Sequence, residues 1–383
     1  MSAPNTDREV YLDNSATTRV CRAAADKVYA VMTENYGNPS SLHTRGFMAE
    51  QELADARASV AQLIGARPED VIFTSGGTEA NNLAVLGSAA AHARDGRHIV
   101  TTAVEHSSVA ACCDRLEKQG YEITRLQPDG DGGITAASIA AACRADTVLV
   151  AVMLVNNETG ARFRLEDAVA AIRSRAPHAH IHADAVQAAG KLPLKAERWG
   201  FDSLSLSAHK IHGPKGSGAL YLRRGSRIVP RQLGGAQERG LRCGTEAVPA
   251  IAGFGAAARQ IPSYAAQQAH FEALRQRLID GLKDEPGIRF HLPPGGVPYI
   301  VHFSVLGIRS ETLLHFLAER QIYVSSGSAC AKGAASPVLA AMRLPAAEID
   351  SALRITPDTD TGPEDIDRLT AAIREAIRTL VRR

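Results

Sequence analysis

The sequence predicts an α/β protein in which a mostly parallel sheet is covered by helices on both faces and is followed by a smaller α+β domain. Two observations support this class. Short apolar runs alternate with amphipathic helical stretches over most of the chain. Aromatic residues make up only 5% of the chain while Ala, Gly, Leu and Val are abundant, which favours helices packed closely on a sheet over an all-β fold.

The predicted elements of the first part alternate along the chain. The helical stretches DKVYAVMTENY and AEQELADARASVAQLIG come first, and the predicted strands are DVIFTSGG, HIVTTAVEH, TVLVAVMLVNNETG, HIHADAVQ and DSLSLSAHK. Helical stretches separate several of these strands, which is typical of parallel sheets buried on both faces.

The pattern changes after about Ala250. A long helical stretch, AAQQAHFEALRQRLIDGLKDE, precedes the apolar run VPYIVHFSVLG and the helices SETLLHFLAERQI and PEDIDRLTAAIREAIRTLV. We interpret this part as a second, smaller α+β domain. We predict a large domain over residues 16–255 and a small domain formed by residues 1–15 and 256–383.

Charge and cysteine usage exclude several classes of protein. The formal net charge is +2, and the 43 basic and 41 acidic residues are interspersed, so we expect no direct nucleic-acid partner and no membrane partner. The six cysteines show no CxxC pair, which suits a reducing compartment. The polar N-terminus shows no signal peptide, so we expect a cytoplasmic protein. The 13 histidines and six cysteines show no zinc-ligand spacing, so we expect no metal.

Polar or glycine residues follow each predicted strand. These groups are Ser75-Gly76-Gly77, Glu105-His106, Asn156-Asn157-Glu158, Asp184 and His209-Lys210. In open parallel sheets the ligand binds at the carboxyl ends of the strands. The sequence therefore predicts one shared site built from these strand ends.

Two of these groups permit more than one interpretation. The glycines before Thr78 open a predicted helix, where free N–H groups and a hydroxyl bind phosphate, but an ordinary capped turn has the same sequence. Asp184 ends an apolar strand, where a buried carboxylate needs a partner. Asp184 and Gln187 also fit a helix N-cap with a capping box.

Lys210 is the third candidate. A lysine that is desolvated at a strand end tends to lose its proton, and a neutral amine can form a Schiff base. A surface lysine is the alternative, but Ser207 and His209 place further polar groups at the same strand end. A lysine, a carboxylate and a phosphate-binding turn are together what pyridoxal 5′-phosphate requires.

The chain resembles a known family nearly from end to end. The motifs that carry the resemblance are YLDNSATT, NYGNPSSLHTRG, FTSGGTEANNLAV, EHSSV, VNNETG, HADAVQAAGK, SAHKIHGPKG, GGAQERGLRCGTEAVP and SSGSACAKG. They are similar to those of the cysteine desulfurases of the NifS/IscS type, which are class V, fold-type I pyridoxal-phosphate enzymes. The resemblance implies a seven-stranded type of sheet, a homodimer, and conversion of L-cysteine to L-alanine. It also implies delivery of the sulfur to an acceptor protein for iron–sulfur cluster or thio-cofactor biosynthesis.

The resemblance also assigns cofactor roles to individual residues. Lys210 would hold the cofactor and abstract the substrate Cα proton, Asp184 would keep the ring nitrogen protonated, and Gln187 would bond the ring oxygen. His106 would stack on the ring and act as an acid or base. The residues implied for the phosphate are Gly77, Thr78, Ser207, His209 and, from the neighbouring subunit, Thr245.

Three further residues would act on the substrate. Asn157 would lie near the ring oxygen and the substrate carboxylate, and Arg354 would grip that carboxylate with a bidentate fork. Cys330 would attack the substrate sulfur and become a persulfide, with Lys332 favouring its thiolate. The sequence ITPDTDTG after Arg354 departs from the family pattern, so the loop after the arginine is expected to differ.

Other activities remain open from the sequence. An aminotransferase for small amino acids would not need Cys330, whereas a selenocysteine lyase is compatible with every motif. A non-catalytic protein of the same fold is disfavoured because Lys210, Asp184 and Cys330 are all present.

Overall fold

The computed structural model describes residues 8–326 and 336–380. The strands are β1 (Val10–Tyr11), β2 (Val71–Thr74), β3 (His98–Thr102), β4 (Glu122–Leu126), β5 (Thr147–Met153), β6 (His180–Asp184), β7 (Ser203–Ser207), β8 (Gly218–Leu222), β9 (Ile288–Phe290), β10 (Val301–Val305), β11 (Ile322–Tyr323) and β12 (Ala352–Ile355).

The helices lie between these strands. They are α1 (Arg22–Thr33), α2 (Thr44–Ile64), α3 (Gly77–Ala91), α4 (Ser107–Lys118), α5 (Ala136–Ala142), α6 (Leu165–Arg175), α7 (Ala196–Trp199), α8 (Val248–Arg259), α9 (Tyr264–Leu282), α10 (Ser310–Ala318), α11 (Pro337–Ala341), α12 (Ala346–Asp350) and α13 (Pro363–Thr379). A short 3₁₀ helix, Ala208–Lys210, follows β7.

A seven-stranded sheet forms the larger part of the molecule, with strand order β2-β8-β7-β6-β5-β3-β4. Strand β8 is antiparallel to both of its neighbours, β2 and β7. The remaining pairs are parallel. This arrangement confirms the predicted fold class.

Five strands of this sheet were predicted from the sequence, and β4 and β8 were not. Strand β4 lies at the sheet edge and its side chains are half-exposed, so its hydrophobic signal is weak. Strand β8 is fully buried but begins with a glycine after a glycine-rich loop, and glycine disfavours strands.

Helices cover both faces of this sheet. All seven residues of β5 are buried, and alternate residues face different hydrophobic clusters. Val150 and Val152 belong to one cluster, whereas Leu149 and Ala151 belong to another with residues of α3 and α4. Burial on both faces explains the apolar run of β5, since no strand face meets water.

A smaller antiparallel sheet of order β12-β10-β9 lies in the C-terminal part. Its apolar side chains form a separate hydrophobic cluster with those of α9, α10 and α13. Strand β1 pairs in parallel with β11, and Val10 and Leu12 join the same cluster. The N-terminal strand therefore packs with the C-terminal part, while the exact domain boundaries stay a prediction.

Within the described residues, the helices are all too short or too polar to cross a lipid bilayer.

Candidate active site

A cavity of about 570 Å³ lies at the carboxyl ends of the parallel strands. Turns that follow β2, β3, β5, β6 and β7 form its walls together with β12, because parallel strands deliver their carboxyl ends to one edge of a sheet. The predicted residues that line the cavity are Gly77, Thr78, His106, Asn157, Asp184, Gln187, Ser207, His209, Lys210 and Arg354.

Two predicted residues remain. Thr245 is exposed and does not line the cavity. Cys330 and the nearby Lys332 lie outside the residues that the structure describes.

The start of α3 forms one end of the cavity. The helix begins at Gly77, and Thr78 occupies its first turn. A Cβ atom at Gly77 would lie 2.6 Å from Cγ2 of Val186, so a side chain there would displace the turn after β6. Ser207, the last residue of β7, faces the same helix end. Free N–H groups and hydroxyls at a helix N-terminus suit a phosphate.

His209 lines the same cavity in a neutral form. Its Nδ1 is 3.2 Å from Oγ1 of Thr17. Burial, and then the positive charges of Lys210 and Lys215, lower the pKa of His209 to about 4. The imidazole therefore offers a neutral hydrogen-bonding edge near neutral pH.

The amine of Lys210 is prepared to react as a nucleophile. Burial, followed by the positive charges of Arg354 and Lys191, lowers its pKa to about 7. Its Nζ donates to the carbonyl oxygens of Ser15 and Ala16, the latter at 2.9 Å. A substantial share of the amine is therefore neutral near pH 7.

Asp184 is held by hydrogen bonds at the end of β6. Its Oδ2 accepts from Nδ2 of Asn81 at 2.7 Å, and its Oδ1 accepts from the backbone N–H of Val186 at 2.9 Å. Residues 186–191 form turns, so the alternative prediction of a helix N-cap with a capping box is wrong.

Gln187 presents an unsatisfied oxygen to the cavity. Its Nε2 donates to the carbonyl oxygen of Ser15 at 2.9 Å. Its Oε1 is buried and has no hydrogen-bond partner within the described part of the chain. A buried acceptor of this kind needs a donor, and the ring hydroxyl of a bound cofactor would supply one.

His106 caps the start of α4. Its Nδ1 accepts from the backbone N–H of Ser108 at 3.2 Å and lies 2.7 Å from Oγ of the same serine. These two contacts fix the ring at the cavity wall.

Arg354 lies in β12, almost fully buried, and joins two parts of the chain. Its Nη1 donates to the carbonyl oxygen of Asn157 and its Nη2 donates to Oδ1 of Asp13, both at 2.8 Å. The guanidinium lies in the cavity wall even though the following sequence departs from the family pattern. Strand β12 holds Arg354 at the cavity, so the unusual sequence of the loop that follows does not displace the guanidinium from the cavity wall.

Asn81 was not predicted as a site residue from the sequence, and Glu105 and Glu158 were predicted only as strand-end residues, without a role. Glu105 lines the cavity, and burial raises its pKa to about 8 although Met153 N–H and Thr102 donate to it. Glu158 accepts from Oγ of Ser336 at 2.5 Å. Glu105 and Glu158 follow predicted strands beside residues that were singled out, which was the available signal.

The cavity as a whole fits pyridoxal 5′-phosphate. Four groups line this one cavity: the Lys210 amine, which is partly neutral at pH 7, the Asp184 carboxylate, the N-terminus of α3, and the unsatisfied amide oxygen of Gln187. These are the groups that bind the aldehyde, the ring nitrogen, the phosphate and the ring hydroxyl of that cofactor.

Comparison with known proteins decides the family. Residues 10–369 match the model of the family described as aminotransferase class-V. The chain belongs to the class V aminotransferase family. Pyridoxal phosphate is the cofactor of this family, in agreement with the donor set of the cavity.

Relatives in the class V family cover nearly the whole chain. A cysteine desulfurase IscS from Tolumonas auensis is 42% identical over 97% of this chain and 93% of its own. A solved structure of a NifS-like protein matches with a TM-score of 0.91 and 34% identity, over 97% of this chain and 100% of that one. A structure of SspA in complex with cysteine matches with a TM-score of 0.80 and 32% identity, over 91% of this chain and 98% of that one.

Proposed function

We propose that this class V protein is a pyridoxal-phosphate-dependent cysteine desulfurase that converts L-cysteine to L-alanine and carries the sulfur away on Cys330. The observation that carries the proposal is the position of the two described residues that flank Cys330, Ser325 and Ser336. Ser325 pairs with Arg354 through backbone hydrogen bonds of 2.7 and 3.3 Å, and Ser336 bonds Glu158 in the cavity wall. The described residues on either side of the segment that contains Cys330 therefore lie beside the cavity wall.

Lys210 and Asp184 serve the cofactor in this proposal. When bound, pyridoxal phosphate supplies an electron sink that is conjugated to the substrate Cα. The Lys210 amine holds the cofactor covalently and, once it is released by the substrate, takes the Cα proton. The Asp184 carboxylate keeps a proton on the ring nitrogen. Gly77, Thr78, Ser207 and His209 bind the phosphate.

Arg354 and Asn157 orient the substrate. The buried guanidinium binds the cysteine carboxylate, and its hydrogen bonds to Asn157 and Asp13 keep its fork in place. Gln187 bonds the ring oxygen, and His106 stacks on the ring face and donates or accepts protons. Each of these side chains lines the same cavity.

The thiolate of Cys330 performs the sulfur transfer. It attacks the substrate sulfur, so that an S–S bond forms while the Cβ–S bond breaks. The electron pair of the broken bond stays with the carbon fragment, which takes up a proton and leaves as alanine. The enzyme then holds a Cys330 persulfide, whose outer sulfur passes to a thiol of an acceptor protein for iron–sulfur cluster or thio-cofactor biosynthesis.

The active form is a homodimer in this proposal. Large apolar side chains are exposed in and after α1, around the start of α2 and between β8 and α8: Tyr29, Met32, Tyr36, Leu42, Phe47 and Leu233. Five of the six fall between residues 29 and 47, and an apolar patch exposed on one part of a surface is typical of an interaction site. Thr245 is exposed as well, and the neighbouring subunit would receive it at the phosphate.

We place the protein in the cytoplasm. The cysteines within the described ranges are free thiols: Cys21, Cys112, Cys113, Cys143 and Cys243. Free thiols in this number suit a reducing compartment.

A turnover assay tests the proposed activity. The purified protein with bound cofactor is given L-cysteine and a reductant, and alanine and sulfide are quantified together. We expect equal amounts of both products, and we expect Cys330→Ala to keep the visible absorbance of the cofactor but lose sulfide release. Cys243→Ser is the matched control, because Cys243 is buried, does not line the cavity, and its thiol donates to the Gly240 carbonyl oxygen at 3.6 Å.

The same assay separates the alternatives. Alanine release from selenocysteine alone would identify a selenocysteine lyase. Sulfide release that survives in Cys330→Ala would contradict the role of Cys330.

A further inference from the structure

A buried asparagine on α3 connects two sides of the cavity. Asn81 is 1% exposed. Its Nδ2 donates to Oδ2 of Asp184 at 2.7 Å and to Oγ of Ser108 at 2.8 Å. A carboxylate only accepts hydrogen bonds, so the amide nitrogen must face Asp184 and the amide oxygen must face the other way.

The amide oxygen of Asn81 meets a histidine that is neutral. His182 is fully buried, and burial lowers its pKa to about 3. Its Nε2 lies 2.9 Å from Oδ1 of Asn81, so the single ring hydrogen is on Nε2. Its Nδ1 then accepts from Oγ of Ser203 at 2.8 Å, and that oxygen accepts from Nε2 of His180 at 2.7 Å. These contacts form the first arm of a hydrogen-bond network, from Asn81 through His182 and Ser203 to His180, and each hydrogen in it has a single donor and a single acceptor.

The second arm runs from Asn81 to His106. Oγ of Ser108 accepts the second amide hydrogen of Asn81, so the serine directs its own hydrogen to Nδ1 of His106, 2.7 Å away. The backbone N–H of Ser108 points to the same nitrogen at 3.2 Å. Nδ1 of His106 therefore accepts two hydrogen bonds, one from the Ser108 hydroxyl and one from its backbone N–H. The hydrogen of the His106 imidazole is then on Nε2.

We propose that Asn81 is a positioning residue that couples Asp184 to His106. Through one amide it donates to the Asp184 carboxylate and orients the Ser108 hydroxyl, whose hydrogen bond to Nδ1 supports the Nε2–H tautomer of His106. A hydrogen bond donated to a carboxylate favours its ionised form. Without that bond the Asp184 carboxylate loses one of its two hydrogen-bond donors, and we expect the proton shared with the cofactor ring nitrogen to move towards Asp184. The inference rests on the cofactor roles of Asp184 and His106 in the proposed function.

Nitrogen NMR of the holoenzyme tests both arms. The cofactor is labelled with ¹⁵N at the ring nitrogen, and the histidines are labelled in their rings. In the unchanged protein we expect a protonated ring nitrogen and a His106 signal of the Nε2–H tautomer. Asn81→Leu keeps the side-chain volume but removes both donors. The ring-nitrogen signal is expected to shift towards unprotonated pyridine, and the His106 Nδ1 signal is expected to shift because the Ser108 hydroxyl is no longer oriented towards it.

Ser108→Ala separates the two arms. It leaves the bond from Asn81 to Asp184 in place, so only the His106 signal is expected to change. It also serves as the second variant if Asn81→Leu does not fold, which circular dichroism and cofactor content will report. Unchanged His106 signals in Ser108→Ala, or an unchanged ring-nitrogen signal in folded Asn81→Leu, would overturn the proposal.

These spectra do not depend on turnover of L-cysteine. If the NMR shifts appear while the chain makes neither sulfide nor persulfide, the proposed function fails and the coupling stands. If turnover occurs and the signals do not move, the coupling fails and the proposed function stands.

Discussion

Lys210 shows how the fold sets the reactivity of one side chain. Burial opposes the ammonium form first, and the positive charges of Arg354 and Lys191 oppose it further. Asp13 and Asp184 act in the other direction but do not outweigh them. The result is a pKa of about 7, compared with an ordinary lysine value of about 10.5.

The rate at which the cofactor-free protein attaches the cofactor to Lys210 should depend on pH as this pKa dictates. The neutral amine is the attacking form, and its fraction grows as the pH rises through the folded-state pKa. We expect the rate of covalent attachment to rise with a midpoint at a pH of about 7 and to level off roughly one pH unit higher. Borohydride trapping followed by mass spectrometry at a series of pH values measures the rate, with Lys210→Ala as the blank. A midpoint near that of an ordinary lysine would contradict the account.

Lys191 provides a sharper test at the same scale. Its Nζ lies 5.1 Å from the centre of the Tyr299 ring, and its charge lowers the pKa of Lys210. Lys191→Met keeps the apolar stem but removes the charge, so the midpoint of cofactor capture should move to higher pH. Lys215→Met is the matched control, because Lys215 acts on His209 and not on Lys210. Equal shifts in both variants would argue against a specific effect of Lys191.

At the scale of elements, the strand ends determine the site. The sequence predicted five strands of the large sheet and the polar residues that follow them, since buried parallel strands leave a clear apolar signal. It did not predict Asn81, because an asparagine in a helix looks like a solvent-exposed residue. Its partner Asp184 is 103 positions away, and only the packing of α3 against β6 brings them together.

The first residue of α3, Gly77, packs closely against Val186 in the turn after β6. Gly77→Ala would place a Cβ atom 2.6 Å from Val186 Cγ2, so the helix end or the turn must shift. Overpacking of this kind costs about 1–3 kcal/mol. We expect weaker cofactor binding and a lower melting temperature, measured by cofactor titration and thermal unfolding.

Gly130→Ala is the control for this change. A Cβ atom at Gly130 would have no neighbour within 4 Å, so this variant should bind the cofactor as the unchanged protein does. Equal cofactor affinity for the two variants would show that the helix end tolerates the shift.

At the scale of the whole molecule, one chain supplies most of the proposed site. The strand-end pattern and the family motifs predicted most of the polar residues that line the cavity, but not Asn81. Thr245 is the exception, because its proposed site belongs to another copy of the chain, and no property of a single chain locates it. Cys330 lies outside the described residues, so its role stays a prediction from the sequence.

The proposed dimer can be tested through its exposed apolar side chains. Tyr36 and Phe47 are 66% and 57% exposed. Replacing both with glutamate should give a monomer in analytical ultracentrifugation, and cofactor affinity should fall because Thr245 no longer reaches the neighbouring phosphate site. Ala265→Glu, on the exposed side of α9, is the control. A double variant that remains dimeric would place the interface elsewhere.

The most direct test of the whole account is the location of the transferred sulfur. The holoenzyme is exposed to L-cysteine without a reductant, alkylated, digested and examined by mass spectrometry, with Lys210→Ala treated in parallel. The account predicts one additional sulfur atom on the peptide that contains Cys330, and none in the Lys210 variant. Alanine release with no added sulfur on Cys330, or with the sulfur on Cys243 instead, would contradict it.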